Sequence, residues 1–148
     1  MPAYSFQKQF VPMILDKSKT HTIRRRRARP TKPGDMLMLY TGMRTKSCKL
    51  IAVTECVKVE PIEIVMKANN RKIVSPIYID EKKFWKTWNV QEIHQLAIGD
   101  GFINIPEFFK FFEQYKKELL EDFEIIHWST ELLLNRMAGE CQLQLGGS

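Results

Sequence analysis

Apolar positions along this chain recur with two different periods, and the change of period separates strands from helices. Tyr4 and Phe6 alternate with polar neighbours as a short strand does, and Val11 to Leu15 reads as one apolar helical turn. Gly34-Asp35 marks a turn, after which Met36-Leu37-Met38-Leu39-Tyr40 forms an apolar run short enough for a buried strand. Lys49 to Val59 is rich in β-branched residues and is expected to stop at Pro61, because proline cannot donate to a central ladder. Two further extended runs, Ile62 to Met66 and Ile73 to Ile79, flank Asn69-Asn70, residues that tolerate the positive φ of a tight turn. This pattern predicts a hairpin.

The period then lengthens. Asn89 stands three residues before Glu92, and Asn104 three before Glu107; both pairs have the spacing of a capping box and predict helix starts. Ile105, Phe108, Phe109, Phe112, Tyr115 and Leu119 follow the second cap at helical spacing, so this aromatic stripe is expected to be core. Gly99-Asp100-Gly101 ends the first helix and leaves one carboxylate on a tight turn. Trp85 and Trp88, three apart, are expected on one helical face. Phe123 to Trp128 should return as a strand, and Gly146-Gly147-Ser148 reads as a frayed end. The reading is an α+β chain, a small barrel of strands with a helical insertion, and no internal repeat is visible.

Composition narrows the class. With 148 residues, of which 44% are hydrophobic, 11% aromatic and 27% charged, the chain suits one globular domain over 1–148. The longest apolar runs fall far short of the roughly 20 residues of a membrane-spanning helix. No secretion signal is read at the start, and a cytoplasmic location is the expectation. Cys48, Cys56 and Cys141 form no Cys-x-x-Cys pair and are expected to be small buried hydrophobes; His21, His94 and His127 lack metal-ligand spacing. No metal and no cofactor is expected.

Charge is the first sign of chemistry. Lys17 to Lys32 holds eight basic residues in sixteen with no acid (Lys17, Lys19, Arg24, Arg25, Arg26, Arg27, Arg29 and Lys32), and Arg44 follows. Such density attracts polyanions, nucleic acid above all, although a solvated basic loop has the same composition. Glu107 to Glu140 is net negative by four, an acidic stretch whose helical face around Glu113 to Glu124 offers a protein-interaction alternative. If Thr20 to Arg24 is extended with Ile23 facing the core, Thr20, Thr22 and Arg24 fall together on the opposite face. Hydroxyls and a guanidinium there, with Lys19 beside them, suit a planar carbonyl or a phosphate. Phe84, Trp85 and Trp88 interleave with Lys82, Lys83 and Lys86, a pattern of base-stacking sites as well as of packed helices.

The segment Lys17-Ser18-Lys19-Thr20-His21-Thr22-Ile23-Arg24, followed by Pro33-Gly34-Asp35 and the strand Met36 to Tyr40, resembles the ASCH domain and its Gly-x-Lys-Thr-x-Thr-x-Arg motif. The resemblance runs from about Tyr4 to Ile126, leaving 127–148 as an extension, and includes Gly99-Asp100-Gly101-Phe102. It implies a small PUA-like β-barrel with flanking helices that binds RNA or a modified pyrimidine nucleoside. Some bacterial members of the family remove the acetyl group of N4-acetylcytidine with a lysine, a threonine and a glutamate, and others are ribonucleases. By motif position Lys19 and Thr22 fall on that lysine and threonine, and Asp100 or the neighbouring Gly101 falls near the glutamate, which leaves a shorter carboxylate or none at that place. Thr20, Arg24, Arg25, Arg26, Arg27, Arg29 and Arg44 are then the expected binding residues. The chain departs from the motif where Lys17 replaces its leading glycine, a residue less suited to positive φ. Amide hydrolysis would require Lys19 to lose its proton near neutrality, about 3 units below the usual lysine value, and binding without chemistry requires no such shift. Both readings stay open at the level of sequence.

Overall fold

The computed structural model describes residues 1–134. Its strands are β1 (Ala3–Phe6), β2 (His21–Arg25), β3 (Met36–Thr41), β4 (Lys49–Val65), β5 (Lys72–Ile79), β6 (Lys82–Thr87), β7 (Leu119–Trp128) and β8 (Leu133–Leu134). Its helices are α1 (Val11–Leu15), α2 (Val90–Gly99) and α3 (Ile105–Phe112). The chain is α+β, built on a mixed sheet of order β1-β3-β4-β5-β6, with β7 and β8 also pairing with β4 and β2 pairing with β7. β1 and β3 run parallel; the other ladders are antiparallel.

β4 organises the molecule. Its first half pairs with β3, its second half with β7 and finally β5, so one strand serves two curved layers. Register shifts against β7 between Cys56 and Lys58 and between Ile62 and Ile64 bend it from one layer into the other. The expected stop at Pro61 does not occur. Pro61 lies within β4 opposite Glu124, and pairing with β5 begins only at Glu63, so one edge of β4 is unpaired where the missing N–H falls. Two large buried clusters result, beside a small one of Met38 and Tyr40. One packs Phe108, Phe109 and Phe112 of α3 onto Ile62, Ile64 and Ile73, and the other packs Tyr4, Phe6 and Phe10 onto Leu37, Leu39 and Trp128. Phe102 and Phe111 touch both.

The expected barrel is open on one side. Among the described residues no ladder joins β1 to β2; instead the Arg24 Nη2 donates to the Ser5 carbonyl across the seam at 2.7 Å, and Arg27 donates to the Ala3 carbonyl. The seam is where the candidate site lies.

Both helix caps match the sequence signal. The Asn89 side chain accepts from the Glu92 N–H at 2.8 Å while Glu92 accepts from the Asn89 N–H, a full capping box, and Asn104 accepts from Glu107. The hairpin around Asn69-Asn70 forms, closed by the Asn70 N–H on the Lys67 carbonyl at 2.9 Å, but neither asparagine takes positive φ. The expected helical face for Trp85 and Trp88 is replaced by β6, which pairs with β5 through Ile77 opposite Phe84 and Pro76 opposite Trp85. Asp80 (φ 50°) and Glu81 (φ 65°) make the turn with both central residues left-handed. This geometry matches strand twist but usually appears as Asn-Gly, so Asp-Glu gave no turn signal. Trp88 follows the strand, half-buried, with its indole N–H on the Ser75 hydroxyl at 3.0 Å. Cys56 is buried and free, Cys48 is half-buried, and Cys141 and the Gly146-Gly147-Ser148 end lie outside the described residues. No helix among the described residues is long and apolar enough to cross a membrane.

Candidate functional site

The sequence between α1 and β2 brings Lys19 to the seam. Ser18 donates from its N–H and its hydroxyl to the Asp16 carboxylate, and Lys17 turns the chain at φ 70°. The lysine at the motif's glycine position therefore adopts the left-handed conformation that glycine would take without strain. The Lys19 N–H then bonds the Met13 carbonyl and the Thr20 N–H the Gly99 carbonyl, which pins the segment between α1 and the end of α2.

Asp100 arrives from the other side through the way α2 ends. The Gly101 N–H bonds the Ile98 carbonyl and the Phe102 N–H the Ala97 carbonyl, with Gly101 at φ 94°, the Schellman termination. Glycine is required here: a Cβ on Gly101 would stand 2.9 Å from the Met13 sulfur and 3.0 Å from the Phe10 ring. The turn leaves the Asp100 carbonyl unused by the helix, and the Lys19 ammonium donates to it at 2.7 Å and to the Asp100 carboxylate at 2.5 Å. Lys19 is 2% exposed and Asp100 3%. Burial pushes the Lys19 ammonium below the usual lysine range and the Asp100 carboxyl above the usual carboxylate range, and in both the desolvation outweighs their mutual attraction. Each partner is thus moved toward its neutral form.

β2 supplies the rest. With Ile23 in the core, Thr22 and Arg24 share one face, and the Arg24 Nε donates to the Thr22 hydroxyl at 3.0 Å. Thr22 is buried, and because its oxygen accepts from Arg24 its own proton is left to give. Phe6 lies between two cations, 5.5 Å from the Lys19 nitrogen and 4.9 Å from the Arg24 guanidinium, and Phe10 is 4.8 Å from Lys19. Together Lys19, Thr22, Arg24 and Asp100 line a cavity of 160 Å³ walled by aromatic side chains, with Ser5, Gln7 and Gln114 among its polar contributors. That volume is below the roughly 300–1,000 Å³ of ordinary small-molecule clefts, so it admits one flat group, not a whole nucleoside.

Thr20 is not part of this face. It precedes β2, turns away, and lines a separate depression with His21, Glu60 and His127. Of the other basic residues, Arg27 stacks on Tyr4 at 4.1 Å, Arg25 lies 5.9 Å from the Phe123 ring, and Arg29 is exposed. Arg26 lines a second, larger groove and lies 3.9 Å from Glu124. Arg44 sits exposed on the β3–β4 turn at φ 68° and does not line the cavity. The acidic helical face does not exist as one surface: Glu113 begins a 3-10 turn and pairs with Arg71, whereas Glu121 and Glu124 belong to β7 and Glu124 is buried.

Sequence reasoning missed the aromatic walls, because Phe6, Phe10, Phe111 and Tyr115 give ordinary core signals. It also missed the polar cluster behind β2. The His21 Nε2 donates to the Leu96 carbonyl at 3.1 Å, and burial, then the Lys19 charge, pushes its pKa to about 3, so the ring is neutral. His127 Nε2 bonds Glu60 at 2.8 Å, and this bond, with help from Lys58, holds the Glu60 carboxyl down to about 2. Among the described residues no cluster of three or more His, Cys, Asp or Glu is placed to hold a metal ion.

No protein-family model matches the chain, and no curated protein matches it. Among solved structures it is similar to two crystal structures of ZmASCH mutant proteins from Zymomonas mobilis. The tyrosine-to-phenylalanine mutant is 10% identical with a TM-score of 0.46, over 98% of this chain and 95% of that one. The serine-to-alanine mutant is 11% identical with a TM-score of 0.47, over 98% and 93%.

Proposed function

We propose that this chain is a PUA-like domain of the ASCH type that binds RNA or a modified pyrimidine nucleoside, with one base edge in the cavity at the β1–β2 seam. The observation that carries the reading is the convergence of an ammonium, a hydroxyl, a guanidinium and a carboxyl from Lys19, Thr22, Arg24 and Asp100 on one small aromatic-walled hollow. The protein uses the Nε and Nη2 of Arg24, which leaves Nη1 to a ligand carbonyl or phosphate. The motif resemblance of Lys17 to Arg24 supports the same assignment. Calorimetric titration with N4-acetylcytidine and cytidine tests it. Binding that is lost in Arg24→Met and Thr22→Val agrees with the proposal; no binding of either nucleoside or of RNA to the wild type refutes it.

One observation favours a hydrolytic use of the same cavity, namely the buried Lys19–Asp100 pair, in which desolvation moves both groups toward neutrality. In that reading the Thr22 oxygen attacks the acetyl carbonyl carbon as its proton passes to the neutral Lys19 amine, and Arg24 faces the developing oxyanion. The C–N bond then breaks, and the leaving amine of the base takes the proton of the Asp100 carboxylic acid. Water subsequently hydrolyses the acetyl-threonine ester, releasing acetate and restoring the hydroxyl. Release of cytidine and acetate from N4-acetylcytidine by the wild type, and its absence in Thr22→Val, is the expected result. Turnover that survives Thr22→Val rules this route out.

A further inference from the structure

The larger groove lies just beyond the cavity along β2. Its 570 Å³ lie between the arginine and proline loop, represented by Arg26, Pro30 and Lys32, and one face of the β5–β6 hairpin. In an antiparallel pair, residues directly opposite share a face, so Pro76 with Trp85 and Tyr78 with Lys83 form the hairpin face that lines the groove. Trp85 is 46% exposed and Tyr78 67%. These are large rings that the fold does not bury, on a two-stranded arm that leaves them open to solvent, and the Lys83 ammonium lies 4.6 Å from the Trp85 ring.

Charge sorts itself by depth in this groove. Two of the three acids that line it sit low, Glu124 buried and Glu63 half-buried, with burial pushing both carboxyls up, while Asp122, in β7 just past its pairing with β2, is exposed. The cations that line it are exposed, Arg26 and Lys32 on the loop side and Lys83 on the hairpin side. Cations outside, rings on one wall and hydrogen-bond acceptors on the floor match a strand whose phosphates stay at the rim while its bases turn inward. One packed cluster joins the walls of the two sites: Arg24 and Arg27 stand 5.5 Å and 4.1 Å from the ring of the buried Tyr4, whose hydroxyl bonds Thr31, itself a lining residue of the groove. From Thr22 to Arg26 the backbone advances about 13 Å at the usual rise per strand residue, so a chain with one base in the cavity reaches the groove within a few nucleotides.

The geometry points to a second subsite for single-stranded RNA, in which Trp85 and Tyr78 stack bases that neighbour the one held in the cavity. This inference rests on the proposed cavity function and extends it from a single nucleoside to a polynucleotide.

The test compares fluorescence-anisotropy binding of a labelled single-stranded oligouridine of twelve nucleotides, the same length of RNA duplex, and calorimetric binding of the mononucleoside. The proteins are the wild type, Trp85→Ala, Tyr78→Ala and Lys83→Glu. Trp85→Ala is expected to weaken the oligonucleotide about 5- to 100-fold and to leave mononucleoside binding unchanged, with Tyr78→Ala and Lys83→Glu moving in the same direction. Single strand is expected to bind tighter than duplex and to quench tryptophan fluorescence in the wild type more than in Trp85→Ala. Mononucleoside binding with no gain on lengthening to the oligonucleotide overturns the subsite and leaves the cavity function standing. Equal affinity of Trp85→Ala and wild type for the single strand also overturns it, as does equal affinity of duplex and single strand. Loss of mononucleoside and oligonucleotide binding alike in the wild type overturns the cavity function, and this inference with it. All three variants change exposed hairpin side chains, and unchanged circular dichroism confirms that they fold.

Discussion

Replacing Lys19 by methionine removes a charge from the most buried ion pair among the described residues while nearly preserving side-chain volume. Asp100, 3% exposed, would be left without a cation, and its carbonyl would lose the same donor. A carboxylate so placed escapes by taking up a proton. Its pKa in the unfolded chain is about 3.9, so holding it protonated at pH 7 costs about 1.4 kcal/mol for each of about three units, roughly 4 kcal/mol in all. That figure agrees with the roughly 3–5 kcal/mol lost when one partner of a buried pair is removed. The sign of the pH dependence follows. Between about pH 4 and 7 the folded variant binds a proton that the unfolded chain does not, so its stability falls as pH rises, by up to about 1.4 kcal/mol per unit. Urea unfolding at pH 5, 6 and 7 measures this directly. Lys19→Met combined with Asp100→Asn has no charge to protonate and should lose far less, with no slope. A loss below about 1 kcal/mol, or a loss equal at all three pH values, would show that the pair is solvated and that no tuned proton exists at the site.

Lys17→Gly should stabilise the fold by about 1 kcal/mol, read as a higher urea midpoint, because glycine takes φ 70° without the clash that lysine meets. Gly101→Ala should cost about 2–3 kcal/mol in the same assay, since its Cβ at φ 94° would press on the Met13 sulfur and the Phe10 ring. Glu60, held down to about 2 chiefly by the His127 hydrogen bond, gives stability that is full above about pH 4.5 and is lost as pH falls toward 2. Glu60 is partly exposed, so solvent screening limits this to about 1 kcal/mol; Glu60→Gln should flatten the acid limb of stability by that amount.

What the chain declared in advance was local. The Asn89 and Asn104 caps and the Gly101 turn depend on a few neighbouring residues, and each formed where its pattern placed it; the alternation around Ile23 held for Thr22 and Arg24. Lys19, Thr22 and Arg24 were legible because one short segment carries all three. Asp100 was legible as a carboxylate on a turn, but its bond to Lys19 spans 81 positions and no spacing rule could supply it. Local signals failed where long-range pairing decided. Pro61 sits inside β4 because β5 pairs only beyond it, and Trp85 lies in a strand because β5 offers an edge that β6 takes. Thr20 shares the residue type of Thr22 but leaves the cavity, since its backbone is held by Gly99 before β2 begins.

The sequence by itself therefore determined the short elements, their caps and the cationic segment, because hydrogen bonding and side-chain periodicity within a few residues suffice for those. Only the tertiary structure decided that the sheet stays open between β1 and β2 and that Lys19 meets Asp100 out of water. It alone also set the arginine loop facing the rings of a hairpin fifty residues further along. Those outcomes depend on which distant strands win each other's edges and on the desolvation that follows, and neither is written in any single stretch of the chain.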